Sequence, residues 1–214
     1  MATDHGTGAG DSVDTYLDAL SSAAPTPGGG SAAALVGALA AALVAMVARL
    51  TAGRPSFATV DDDARRIIDV ADAARDALTR AMAADEAAFQ AVMAAYRLPR
   101  VGDGAREARR EAIAEASRLA TAPPLSTARV ARRVLHLARE VAQIGNPSVT
   151  SDAAVAGWAA HAAIRASAVN VRANLVATGD DVFAAECETE LAALIAEAQT
   201  LAELTEKTAQ RSLM

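Results

Sequence analysis

Apolar positions along this 214-residue chain recur every three or four residues from one end to the other, the spacing of helices that each bury one face. No run alternates in the manner of a half-buried strand. Asp11 or Ser12 can cap a first helix to about Ser22, with Val13, Tyr16, Leu17 and Leu20 on one face. Pro25 and Pro27 end it, and a second helix opens at Gly28-Gly29-Gly30-Ser31 and closes between Thr51 and Pro55. Within it Gly29, Ala33, Gly37 and Ala41 form a small-residue stripe for close helix contact. A third helix is predicted from Val60 to Leu98, stepping through Ala64, Ile67, Ala71, Ala74, Leu78, Ala81, Phe89, Val92 and Tyr96.

After Pro99 and the turn Val101 to Gly104, a charged helix spans Ala105 to Thr121. Pro123-Pro124 reads as a break, with the next helix starting at Ser126 or Thr127 and running to Ile144, where Gly145-Asn146-Pro147 stops it. Ser148 to Ala177 is then a long Ala-rich helix whose apolar face is Val155, Ala159, Ala163 and Ala166. Asp180 to Leu213 is the last, with Leu191, Leu194, Ile195, Leu201 and Leu204 as its seam. The expectation is an all-α bundle of about six or seven long antiparallel helices: a disordered stretch at 1–10 and a single domain over 11–214. No fixed-period repeat points to a solenoid.

Composition narrows the picture. Apolar residues make up 52% of the chain and aromatics 3%, so the core is built from Ala, Val and Leu, which suits closely spaced helices. A net charge of −6 argues against general nucleic-acid binding, which needs a basic face. Cys187 stands alone, excluding an intramolecular disulfide, and His5, His136 and His161 lack zinc-ligand spacing, so no metal site is expected. Met1 to Gly10 lacks a basic signal-peptide region, which makes the cytoplasm the default location. The uncharged run Ala32 to Ala48 falls short of the roughly 20 residues of a membrane span and is followed by Arg49 and Arg54, so no membrane partner is expected.

Chemistry is sought where polar residues interrupt an apolar stripe, because an unpaired buried polar group costs about 1 to 3 kcal/mol. Asp85 falls between Ala81 and Phe89 on the inward face of the third helix. Either the helix turns to let it reach water or an arginine, or it is a poorly solvated carboxyl with a raised pKa, able to move protons near neutrality. Pro27, Gly28, Gly29, Gly30 and Ser31 leave bare backbone amides at a helix start, which form either a ligand-binding mouth or only a sharp turn. Asn170 and Asn174, one turn apart, can point at one place. Ser151 and Asp152 can cap a helix or join a site with Asn146. Arg54 and Arg100 follow helix ends, where they are solvated or meet ligand carboxylates. Trp158, His161 and His136 read as packing or surface residues, and Phe89 as core.

Together, Pro25-Thr26-Pro27-Gly28-Gly29-Gly30-Ser31, Gly53-Arg54 with Phe57, Asp85 with Ala88-Phe89, Leu98-Pro99-Arg100, and Gly145-Asn146 with Ser151-Asp152 resemble the cyclodeaminase/cyclohydrolase family of folate enzymes over nearly the whole chain. That family includes the deaminase domain of formiminotransferase-cyclodeaminase and free-standing methenyltetrahydrofolate cyclohydrolases. The resemblance implies an all-helical homodimer that acts on a tetrahydrofolate derivative as substrate, without a permanently bound cofactor. It implies C–N cleavage at the one-carbon unit: hydrolysis of 5,10-methenyltetrahydrofolate or, alternatively, deamination of 5-formiminotetrahydrofolate. A non-catalytic folate-binding protein is the third reading. Asp85 or Asp152 would transfer the proton, while Asn146 and Ser151 orient pterin or water. Gly28 to Ser31 would bind through backbone amides, and Arg54 or Arg100 would meet the glutamate tail. Arg54-Pro55-Ser56-Phe57 stands where free-standing cyclohydrolases tend to carry a Lys-rich run ending in Tyr, and Arg100 where they tend to carry Lys.

Overall fold

Residues 12–212 are described by a computed structural model, and among them every regular element is helical. The expectations for residues 1–10, for Asp11 as a cap and for Leu213 lie outside these residues. A short helix α1 (Val13–Leu20) is followed by six long ones: α2 (Gly29–Arg49), α3 (Asp61–Tyr96), α4 (Ala105–Ala120), α5 (Ala122–Ile144), α6 (Thr150–Leu175) and α7 (Asp181–Ser212). Short 3-10 turns at Pro55–Val60 and Pro147–Val149 precede α3 and α6. Ser12 caps α1, its hydroxyl accepting the Thr15 N–H at 3.2 Å. At 1.5 Å per residue, the 36 residues of α3 reach about 54 Å.

α2 is the central helix, packed against α3, α6 and α5. Its glycine and alanine stripe is what permits this: Ala33 and Ala41 are buried, and a Cβ on Gly37 would sit 3.2 Å from Leu78 on α3 and 3.5 Å from Ala163 on α6. α3 and α6 therefore run antiparallel to α2 at close range, with Gly30 beside Asp85 and Gly29 beside Asn170 at one end. The core beneath consists of Val44, Val47, Ile67, Leu78, Val134, Leu135, Val141 and Ile164 among many alanines. α2 has the length and apolarity to cross a membrane by composition alone, at 21 residues and a mean hydropathy of 2.3, so the argument from shortness fails. In this fold 61% of that window is buried against the other helices.

Three details differ from the sequence reading. The break expected at Pro123-Pro124 falls at Thr121 and the next helix starts earlier than Ser126: α5 begins at Ala122, and both prolines occupy its first turn, where their missing N–H groups cost no helical hydrogen bond. The buried face of α6 is Ala153, Ala156, Gly157, Ala160, Ala163, Ile164, Ser167, Ala168 and Val171, which leaves Val155 exposed. In a helix so rich in alanine the apolar periodicity is nearly uniform around the axis and does not single out one face. Val13, Leu17 and Leu204 are also exposed.

Gly145 locks the far end of the bundle. A Cβ there would overlap the Val141 carbonyl oxygen and press on Val47 of α2 at 3.1 Å. The neighbouring Asn146 N–H donates to Thr51 Oγ at 2.9 Å, tying α5 to the end of α2. Replacing Gly145 by Ala is expected to cost about 1 to 3 kcal/mol. Chemical denaturation against a surface Gly104→Ala control, with open space at that Cβ but positive φ, measures it.

Candidate active site

At the opposite end of α2 from Gly145, a cavity of about 270 Å³ opens between three helices and the loop before α2. The loop contributes Pro25, Thr26 and Gly28; α2 adds Gly29 and Gly30; α3 adds Asp85, Ala88 and Phe89; and α6 adds Asn170 and Asn174. Ala120, the last residue of α4, completes it. Asp85 is the one charged group among these lining residues.

Gly28 gives α2 no side-chain cap, which leaves the amides of its first turn without helical partners. α3 supplies what α2 lacks, for the Ser31 N–H donates to the Asp85 carboxyl. Asp85 packs so tightly against this turn that a Cβ on Gly30 would fall onto its carboxylate. The mouth whose bare amides were expected to bind a ligand is thus met by a carboxyl of the chain itself. The Ser31 amide and the positive end of the helix favour the ionised form, yet burial is the larger effect and raises the Asp85 pKa.

Asn170 and Asn174 do converge on one cavity. Asn170 Nδ2 donates to its own helix at Ala166 O, at 3.0 Å, and its amide lies against Gly29. Asn174 Nδ2 donates to Ala120 O at 2.7 Å, holding α6 to the end of α4. Both keep a side-chain carbonyl oxygen as an acceptor. Phe89, read from sequence as core, is 38% exposed and stands in the cavity wall one turn beyond Asp85.

The match to known proteins follows the same extent of chain. A family model described as formiminotransferase-cyclodeaminase matches residues 12–193. The chain belongs to the formiminotransferase-cyclodeaminase family. It is 45% identical to the methenyltetrahydrofolate cyclohydrolase of Methylorubrum extorquens, covering 90% of this chain and 93% of that one. It is 37% identical to the formimidoyltransferase-cyclodeaminase of Rattus norvegicus over 90% of this chain, but spans only 36% of the rat protein. The crystal structure of formiminotetrahydrofolate cyclodeaminase from Thermotoga maritima superimposes with a TM-score of 0.85 at 28% identity, covering 95% of this chain and 98% of that one.

In this member of the formiminotransferase-cyclodeaminase family, the remaining candidates are distributed along the bundle. Pro27 is buried beside the mouth, after a cis Thr26–Pro27 bond. Ser31 is fully buried behind the cavity wall and is not part of the lining. Asn146, Ser151 and Asp152 lie at the other end: Asp152 and Asn170 are 18 residues apart on α6, about 27 Å. Asn146 there accepts the Ser148 N–H at 3.0 Å and serves the turn before α6. Within one chain Asp85 and Asp152 therefore do not share a cavity. Arg54 is exposed at that far end, next to the 3-10 turn, and Arg100 is exposed beyond the end of α3. Sequence reading missed Glu86 and Tyr16. Ser31 Oγ donates to Glu86 Oε1 at 3.3 Å and accepts from Tyr16 Oη at 3.2 Å. The available signal was that Glu86 follows Asp85 on the same helix and that Tyr16 is the one aromatic of α1.

Burial that raises the Asp85 pKa means the folded state binds that proton more tightly than the unfolded chain. Stability contributed by the protonated form is therefore lost as pH rises from the ordinary carboxylate range through the folded pKa. Asp85→Asn keeps an acceptor for Ser31 and removes the buried charge. Its melting temperature is expected to exceed that of the unaltered protein at pH 7, and the gap to close as pH falls toward about 4. Thermal denaturation across that range checks this; a variant less stable at every pH would contradict it.

Proposed function

We propose that this protein hydrolyses 5,10-methenyltetrahydrofolate, with Asp85 as the proton-transfer group. The observation that carries the reading is a cavity lined by one half-buried carboxyl, two side-chain amides and no cation, which complements a cationic methenyl bridge. The likeness to the Methylorubrum extorquens cyclohydrolase over nearly the full length of both chains supports it. The cavity lies near the lower end of the roughly 300 to 1,000 Å³ of small-molecule sites, so it takes the bicyclic head and leaves the tail outside.

Water adds to the bridge carbon and loses a proton to ionised Asp85, giving a neutral tetrahedral intermediate. The bond from that carbon to N5 then breaks; N5 takes the proton from Asp85 while the hydroxyl proton departs to solvent, leaving 10-formyltetrahydrofolate and one proton released overall. A carboxyl whose pKa is raised toward neutrality serves both steps. Asn170 and Asn174 can steady the water or the ring nitrogens.

The second reading is deamination of 5-formiminotetrahydrofolate, favoured by the superposition on the Thermotoga maritima cyclodeaminase. Offered both compounds, the protein is expected to bleach the ultraviolet absorption of 5,10-methenyltetrahydrofolate catalytically and to release little ammonia from the formimino compound. Asp85→Asn is expected to reduce turnover by about 10²- to 10⁴-fold with the helical spectrum intact. The opposite preference selects the deaminase reading. Binding of either compound without turnover selects a non-catalytic folate binder.

We also propose a homodimer, acting in the cytoplasm. α2 and α6 each leave an exposed apolar stripe: Leu39, Ala42 and Met46 on one, with half-buried Leu35, and Val155, Ala162 and Val169 on the other, continued by Val176 just past the end of α6. The α6 stripe keeps heptad steps with Ala159, Ala166 and Ala173, and α2 carries no charge before Arg49. Two helices of about 10 Å width and 30 Å shared length offer roughly 600 Å² per subunit. A symmetric pair would bury about 1,200 Å², the lower bound for a stable interface. Light scattering is expected to give a dimer for the unaltered chain and a folded monomer for Leu39→Glu/Val169→Glu.

A further inference from the structure

Behind the cavity wall stand three groups that the proposed chemistry leaves unused. Tyr16 is the buried anchor of α1, set against Ala34 and Met82. Ser31 lies in the first turn of α2 with no exposed surface, and Glu86 follows Asp85 on α3, half-buried. Their hydrogen bonds have one direction: Tyr16 Oη donates to Ser31 Oγ at 3.2 Å, and Ser31 Oγ donates to Glu86 Oε1 at 3.3 Å. Ser31 has a single hydroxyl hydrogen, and with that given to Glu86 its lone pairs are left for the tyrosine. The same residue's backbone N–H holds Asp85.

Ser31 thus grips two adjacent carboxyls, one through its amide and one through its hydroxyl. Of two acids in one partly dry site, the second to ionise does so against the charge of the first and at higher pH. Burial raises both, and the charge on Asp85 raises Glu86 further. The titratable groups brought here by the surrounding elements are Tyr16 from α1 and the two acids from α3; α2 contributes none, and α6 presents the uncharged Asn170 and Asn174.

We propose that Tyr16, Ser31 and Glu86 are positioning residues for Asp85, their hydrogen-bond chain holding α1 and α3 to the first turn of α2, on which the Asp85 carboxyl rests. This rests on the reading of Asp85 as the proton-transfer group, and part of its test does not need turnover. Glu86→Gln keeps an acceptor for Ser31 and deletes the charge. Tyr16→Phe deletes the donor at the other end of the chain.

The experiment is a carboxyl-carbon NMR titration of the unliganded protein, paired with the pH dependence of kcat and KM. In the unaltered protein Glu86 is expected to titrate above Asp85, and Asp85→Asn to lower the Glu86 titration. Glu86→Ala, which breaks the chain, is expected to lower kcat by roughly 10-fold with KM within about twofold, and Glu86→Gln, which keeps the acceptor for Ser31, to restore kcat to within about twofold. Tyr16→Phe is expected to move the Asp85 titration measurably with the fold retained by circular dichroism. An Asp85 titration unchanged by both Tyr16→Phe and Ser31→Ala overturns the proposal whether or not the protein turns over folate. Absent turnover with the Asp85 titration moved by those variants overturns the functional reading alone.

Discussion

The arrangement at this site depends on one contact: the Asp85 carboxyl of α3 laid against the first turn of α2 at Gly30. α2 begins without a side-chain cap of its own, and α3 provides an acceptor for one of its free amides. A carboxyl at a helix start would ordinarily be held ionised by the amides and the helix dipole. Here burial outweighs the amide, and the group is pushed toward the neutral form. The same contact explains why glycine stands at position 30, because any side chain there would displace the carboxyl.

That contact is possible only because the helices stand close. A Cβ at Gly37, two turns further along α2, would already touch both Leu78 and Ala163, so the stripe that begins at Gly29 sets the spacing of α3 and α6 together. Interiors at this density do not stretch to admit an extra methyl without cost. The far end is fixed independently by Gly145 and by the bond from Asn146 to Thr51. α2 is therefore held at both ends, and the cavity at its start is a gap between helices closed on one side by the loop before α2.

Most of the fold was legible in the chain because apolar spacing and helix-breaking residues act locally. The glycine stripe, the length of α3 and the convergence of Asn170 with Asn174 all follow from helical geometry. Pro123-Pro124 misled because a proline pair ends a helix or begins one, and only the packing of α4 onto α3 and α6 distinguishes the two. The exposed side of α6 was illegible for a different reason: alanine on every face carries no directional signal. Glu86 escaped notice since it lies beside Asp85 in sequence, off the inward stripe, and its burial depends on Tyr16 folding back from α1.

The polar interruptions of the stripes divide by what they meet. The Asn146 N–H donates to the Thr51 hydroxyl, and its side chain accepts the Ser148 N–H and donates to the Leu50 carbonyl, so its hydrogen-bonding capacity goes into joining α5 to the end of α2. Asp85 borders open volume, with one amide bond and no cation among its neighbours in the cavity wall. A carboxyl wanted only as a cap would be better placed in water, where its charge is not penalised. Keeping it in a gap that also carries two side-chain amides is costly for stability and useful for binding a cationic group. The same wall, having no positive residue, is unsuited to carboxylates. A gap of this polarity suits the cationic part of a ligand.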